Sequence, residues 1–181
     1  MEKKKGPKGK STLRRAILII IGILLLAASI IGYNLEKTKK SPEGIFAAHY
    51  EVYPNVYHPV TVGNSDLMTR AFAAYENKNF KEAAELLEER IATSSAIPLK
   101  FYQAIAYGEM GNLPLAIKNL ENIRRFDSPY IAESYWYLGL YYTKLGNKDA
   151  AVKRLQEFYE HSDNPERKKE AADIIHTLQG D

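Results

Sequence analysis

The chain has 181 residues, 45% of them hydrophobic, and no cysteine. That allows one modest domain with extras and excludes disulfides, thiolate zinc sites and a cysteine nucleophile. The formal net charge of +3 is unevenly placed: residues 1–15 carry seven Lys or Arg against Glu2, a net +6 that leaves −3 for the rest. The basic character therefore belongs to the tail and gives no warrant for nucleic-acid binding by the main domain.

The tail, residues 1–15, is followed by twenty uncharged residues, 16–35, AILIIIGILLLAASIIGYNL. A helix rises about 1.5 Å per residue, so this length matches a hydrocarbon core of about 30 Å. Tyr33 stands where an interfacial ring belongs. The excess of Lys and Arg before the span predicts a cytoplasmic tail, with residues 36–181 across the membrane, and a basic flank beside anionic lipid. A signal peptide cleaved near Ala27-Ala28-Ser29 is the competing reading; Ile30 and Ile31 continue the apolar run and favour a retained anchor. The GKST at Gly9–Thr12 is no phosphate-binding loop, because Lys4 stands where that pattern needs glycine.

Residues 36–64 form a linker and a pre-repeat segment. Ser41 and Pro42 predict the start of a short helix. Pro54 and Pro59 then forbid regular helix and favour an extended path. Phe46, Tyr50, Tyr53 and Tyr57 are costly to leave in water. The favoured expectation is that these rings pack on and cap the first repeat; the alternative is that they occupy a groove and are displaceable.

Self-comparison aligns residues 70–91, 103–124 and 138–159, offset by 33 and 35. Matching columns are Ala71/Ala104/Gly139, Ala74/Tyr107/Tyr142, Lys78/Gly111/Gly146, Asn79/Asn112/Asn147, Ala83/Ala116/Ala151 and Leu87/Leu120/Leu155. A small residue and a position three further on share one face of a first helix. Gly111 and Gly146 suit a left-handed helix end. The asparagines cap a second helix, whose inner stripe is alanine and then leucine. Pro98 and Pro129 open first helices, the latter with Ser128 as cap. Asn164-Pro165 opens a final helix with Ala171, Ile174, Ile175 and Leu178 on one face.

These columns resemble the tetratricopeptide repeat, a helix pair of about 34 residues. The third unit matches best; the first departs at Lys78 and Arg90. The resemblance implies an all-α fold: an N-terminal transmembrane helix, then an α-solenoid of three repeats (65–97, 98–127 and 128–161) and a capping helix (162–181). The run Phe46…Tyr50…Tyr53-Pro54-Asn55-Val56 is similar to a segment preceding the repeats in bacterial membrane-anchored proteins of this type. That implies an anchor in the inner membrane and repeats in the periplasm.

In such a stack Tyr135, Leu138, Gly139 and Tyr142 are core. The face lining the concave groove corresponds to Met68, Phe72, Tyr75, Phe101, Ile105, Trp136 and Leu140. This predicted groove is apolar and suits an amphipathic helix or an extended peptide. A clamp for carboxylate ends is disfavoured, because Met68, Phe72 and Tyr102 occupy its basic positions and Glu133 repels an anion. None of His49, His58, His161 and His176 lies three or four residues from another, and no hydrolase, metalloprotease or dinucleotide motif occurs. The sequence therefore predicts no enzyme, metal, cofactor or small-molecule substrate. It predicts an interaction scaffold with a protein or peptide partner in the envelope. The alternatives are an accessory to periplasmic folding or secretion, and a structural subunit of an envelope complex whose groove is permanently self-filled.

Overall fold

The computed structural model describes residues 9–57, 66–94, 96–124 and 128–180, the first nine by backbone alone. Most of the basic tail, and His58 and Pro59, lie outside the described residues. The chain divides into two compact units, Met1–Ser41 and Pro42–Asp181.

The first unit is built on one helix, α1 (Gly9–Lys39). Isoleucine and leucine occur all round it, so no single stripe could be buried against a soluble partner. Its large apolar side chains from Leu18 to Leu35 are all exposed. The stretch Leu18–Lys39 is long and apolar enough to cross a membrane, a test that a signal sequence also passes.

The second unit contains eight helices among its described residues: α2 (Pro42–His49), α3 (Leu67–Glu76), α4 (Phe80–Thr93), α5 (Ile97–Glu109), α6 (Leu113–Ile123), α7 (Ile131–Lys144), α8 (Lys148–His161) and α9 (Pro165–Gln179). From α3 to α9 each helix packs on the next in chain order, and α2 packs on α7. Among the described residues the fold is all-helical, three antiparallel pairs followed by α9.

The three turns within the pairs are built alike. Lys78, Gly111 and Gly146 have φ of 60°, 76° and 72°. The following asparagine N–H reaches back to Ala74 O, Tyr107 O and Tyr142 O at 2.8, 2.8 and 2.9 Å. This closes the last turn of the first helix with a left-handed residue. Lys78 adopts that conformation without being glycine, at a steric cost of about 1–2 kcal/mol. Asn112 and Asn147 then cap the second helix through Leu115 N–H and Ala150 N–H. Asn79 keeps the same backbone, but its side chain donates to Glu82 instead.

The core follows the repeat columns. Ala71, Ala104, Ala83, Ala116, Ala151, Leu87, Leu120 and Leu155 are completely buried. Gly139 is small because Leu155 lies against it: a Cβ there would meet Leu155 at 2.7 Å. On α9, Ala171, Ile174 and Leu178 are buried and Ile175 is half-buried. Asn164 caps α9 by accepting from Glu166 and Arg167 N–H.

One boundary differs from the sequence expectation. Pro129 does not open a helix; Ser128–Tyr130 is a turn, and α7 begins at Ile131. The Ser128 carbonyl accepts from Ile131 N–H at 3.0 Å and its hydroxyl from Tyr130 N–H at 3.2 Å. Pro129 thus takes the second position of a turn, where its fixed φ is equally suited.

Candidate functional site

The first helices of the three pairs, α3, α5 and α7, line one face, and residues 42–57 lie along it. Helix α2 sits on α7 with Ile45 buried. Phe46 stacks on Tyr50 at 4.5 Å, and both rings reach Tyr141 at about 6 Å. Lys144 Nζ covers the Phe46 ring from 4.3 Å. From Tyr50 to Tyr57 the chain has no regular secondary structure. It runs against the order of the repeats: Tyr50 meets Tyr137 on α7, Tyr53 meets Phe101 on α5 edge-on at 4.9 Å, and Tyr57 meets Phe72 on α3 at 5.4 Å.

Phenol groups from all three first helices bind the backbone of this segment. Tyr137 donates to Glu51 O at 2.7 Å and Tyr75 to Tyr53 O at 2.7 Å. Tyr102 donates to Pro54 O at 3.2 Å and accepts from Val56 N–H at 2.9 Å and Tyr57 N–H at 3.2 Å. At the rim Asn55 donates to Glu76 at 2.7 Å. A segment without secondary structure has backbone groups to satisfy, and here tyrosines satisfy them.

Burial raises the pKa of Tyr50, Tyr75, Tyr137 and Tyr141 well above the ordinary tyrosine range. The same desolvation raises Tyr102, partly offset by the two amides that donate to its oxygen. These phenols are neutral hydrogen-bonding groups at any physiological pH.

The expected groove residues divide under this arrangement. Phe72, Tyr75 and Phe101 are buried beneath the segment and touch it or its tyrosine partners. Ile105 and Leu140 are completely buried. Met68 is half-buried against the core. Trp136, expected to look into the groove, packs on Phe158 of α8 at 5.0 Å beneath the Arg167 guanidinium at 4.5 Å and also bounds a cavity beside the segment. Its neighbour Tyr137 faces the segment. Two adjacent positions on a helix are about 100° apart; the sequence expectation placed Trp136 on the groove face, and the bond to the segment's backbone is made by Tyr137. Nor do Phe46, Tyr50, Tyr53 and Tyr57 gather on the first repeat; they extend across all three. In this conformation the wall is not free for a visitor.

Sequence reasoning gave Tyr137, Tyr141 and Tyr130 no groove role and used Tyr102 only against a carboxylate clamp. A usable signal was present: Phe101-Tyr102 and Trp136-Tyr137 stand in the same two repeat columns, so tandem rings recur at one level of the stack. Gly108 is a second signal. A Cβ there would lie 2.0 Å from the Tyr141 hydroxyl, so its missing side chain gives Tyr141 the space to floor the α2 site.

Beside the segment remains a cavity of about 400 Å³ bounded by Val52, Tyr53, Pro54, Trp136, Tyr137 and Arg167. Two of its polar walls have partners. Arg167 donates to both Glu133 oxygens at 2.7 and 2.8 Å, and His49 Nδ1 lies 2.5 Å from Glu170. Among the described residues no three His, Asp or Glu are grouped to hold a metal ion.

The family model described as tetratricopeptide repeat matches residues 133–164, which carry most of α7, all of α8 and the cap of α9. No curated protein matches the sequence. The match and the all-helical paired fold support a tetratricopeptide-repeat protein. Such domains are generally non-enzymatic and mediate protein–protein interaction.

Proposed function

We propose that this protein is a membrane-anchored interaction scaffold on the periplasmic side of a bacterial inner membrane, whose peptide-binding groove is closed by its own residues 42–57. The observation that carries the reading is the row of tyrosines, one on each first helix, binding the segment's backbone. Main-chain recognition across three repeats is how such a groove would hold an extended peptide ligand. The supporting observations are the apolar helix α1, the basic excess before it and the repeat match. A partner reaches Phe72, Tyr75 and Phe101 by displacing the segment. The anchor confines the protein to the membrane plane and raises the local concentration of membrane partners.

The second reading, a structural subunit with a permanently filled groove, is favoured by the number of bonds holding the segment. A folding accessory that holds unfolded clients has less support. The large apolar side chains exposed among the described residues of the second unit are few and scattered: Val56, Met110, Leu115, Leu145 and Tyr159.

Photocrosslinking in intact cells from a photoreactive residue at Phe72 tests this. A scaffold with a displaceable segment gives adducts both to residues 42–57 and to a second polypeptide. Adducts to residues 42–57 of the same chain alone would leave the structural reading. Reporter fusions at each terminus test the topology: the two must report opposite sides of the membrane, and a C-terminal domain released without α1 would refute the anchor.

A further inference from the structure

We infer that the cavity between the docked segment, α7 and α9 is a second peptide site, which takes an arginine or lysine side chain of a partner polypeptide while residues 42–57 stay in place.

The segment covers the first helices of three pairs but not the whole face. Helix α9 follows α8 as the first helix of a further pair would, and its Arg167 reaches Glu133 and Trp136 on α7. The face therefore continues past α7, and the part left open is the cavity of about 400 Å³. That volume falls within the usual span of ligand sites, about 300–1,000 Å³. Glu51, Val52, Tyr53 and Pro54 form one wall, so the cavity exists only while the segment is docked.

Its chemistry selects the occupant. Tyr53, Pro54, Trp136 and Tyr137 offer apolar surface to a side-chain stem. The charges around it are unbalanced: with histidine counted neutral, Glu51, Glu133 and Glu170 stand against Arg167. Arg167 is engaged by both oxygens of Glu133. Glu170 bonds His49, and the carboxylate of the exposed Glu51 has no partner among the described residues. The excess reaches the wall itself. Burial raises the pKa of Tyr53, and Glu133 raises it by more than Arg167 lowers it. An anion would be repelled here, and a wholly apolar group would strip water from carboxylates without replacing it. A long basic side chain lays its stem on the rings and its head at Glu51 and Glu170.

Trp136 is the only tryptophan in the chain, so its fluorescence reports on the cavity without background. Full-length protein in uncharged detergent micelles is titrated with N-acetyl-glycyl-arginyl-glycinamide and with the same peptide carrying citrulline, which keeps the shape and lacks the charge. The arginine peptide should give a saturable change, with an apparent Kd at least ~10-fold below that of the citrulline peptide. Glu51→Gln and Glu170→Gln should each weaken it about 3-fold, and Glu88→Gln, exposed on α4, should leave it unchanged. Equal binding of the two peptides, or equal binding by all variants, overturns the selection for a cation. No change in emission and no added amide protection in residues 48–53 overturns the site. Amide exchange at Val56 and Tyr57 separates this site from the groove. If both stay protected with the peptide bound, the cavity fills beside a docked segment. If both become exposed, the peptide enters by displacement; the separate site then fails while the displaceable groove gains support.

Discussion

Replacing Tyr102 with phenylalanine removes one oxygen and leaves the ring, so packing against Phe72, Tyr75 and Phe101 persists. What is lost is the bond to Pro54 O and the two accepted from Val56 and Tyr57 N–H. At about 1 kcal/mol net per bond the sum is near 3 kcal/mol. Tyr57 N–H keeps Asn55 Oδ1 at 3.1 Å, and the exposed Val56 can turn to water, so about 2 kcal/mol is the better figure. The loss falls on docking of the segment, not on the helix pairs, whose alanine and leucine columns are untouched. Amide hydrogen exchange reads this directly. The Val56 and Tyr57 amides should exchange about 30-fold faster in Tyr102→Phe, since 1.4 kcal/mol is a factor of ten. The core amides of α5 and α7 should change by much less. Equal acceleration throughout the second unit, or none at residues 56 and 57, would refute the idea that the segment is a separately docked element held by this phenol.

Lys78→Gly should stabilise the second unit by about 0.5–1 kcal/mol, while Gly146→Ala should destabilise it by about 1 kcal/mol; denaturant midpoints check both signs. Gly108→Ala drives a methyl into the Tyr141 hydroxyl, and Gly139→Ala drives one into Leu155; each should cost about 1–3 kcal/mol by overpacking. The Gly108 variant should in addition loosen α2, seen as faster exchange in residues 45–50. Asn147→Ala should cost about 1 kcal/mol through its lost cap, and Asn79→Ala less, because its side chain bonds Glu82 and not the helix backbone. Burial raises the folded-state pKa of Tyr75, Tyr102, Tyr137 and Tyr141 above the unfolded value near 10. Their contribution is therefore intact below pH 10 and is lost above it, at about 1.4 kcal/mol per pH unit for each. Circular dichroism should show unfolding as pH rises past 10, and tyrosinate absorbance from these four phenols, separated from that of the exposed tyrosines by difference against their Phe variants, should appear only with it; their ionisation in the folded state would contradict the packing described.

The repeat columns, the left-handed turns at Gly111 and Gly146 and the capping helix were legible in the chain alone; that Lys78 takes the same conformation was not. Each is a local consequence of periodicity or of one residue's backbone preference, and Lys78 read as a departure because it is not glycine. The apolar stretch that becomes α1 was legible for the same reason, since composition and length suffice. What the sequence left open was which rings look into the groove and what covers them. Trp136 and Tyr137 differ by one step around a helix and both bound the cavity beside the segment, but only Tyr137 binds the segment's backbone, at Glu51 O. The pre-repeat segment has no period to read, so its path across α7, α5 and α3 follows only from where the folded stack places tyrosine hydroxyls within reach of its backbone. Local chemistry fixed the helices; the closure of the groove is a long-range match that exists only once the helices have stacked.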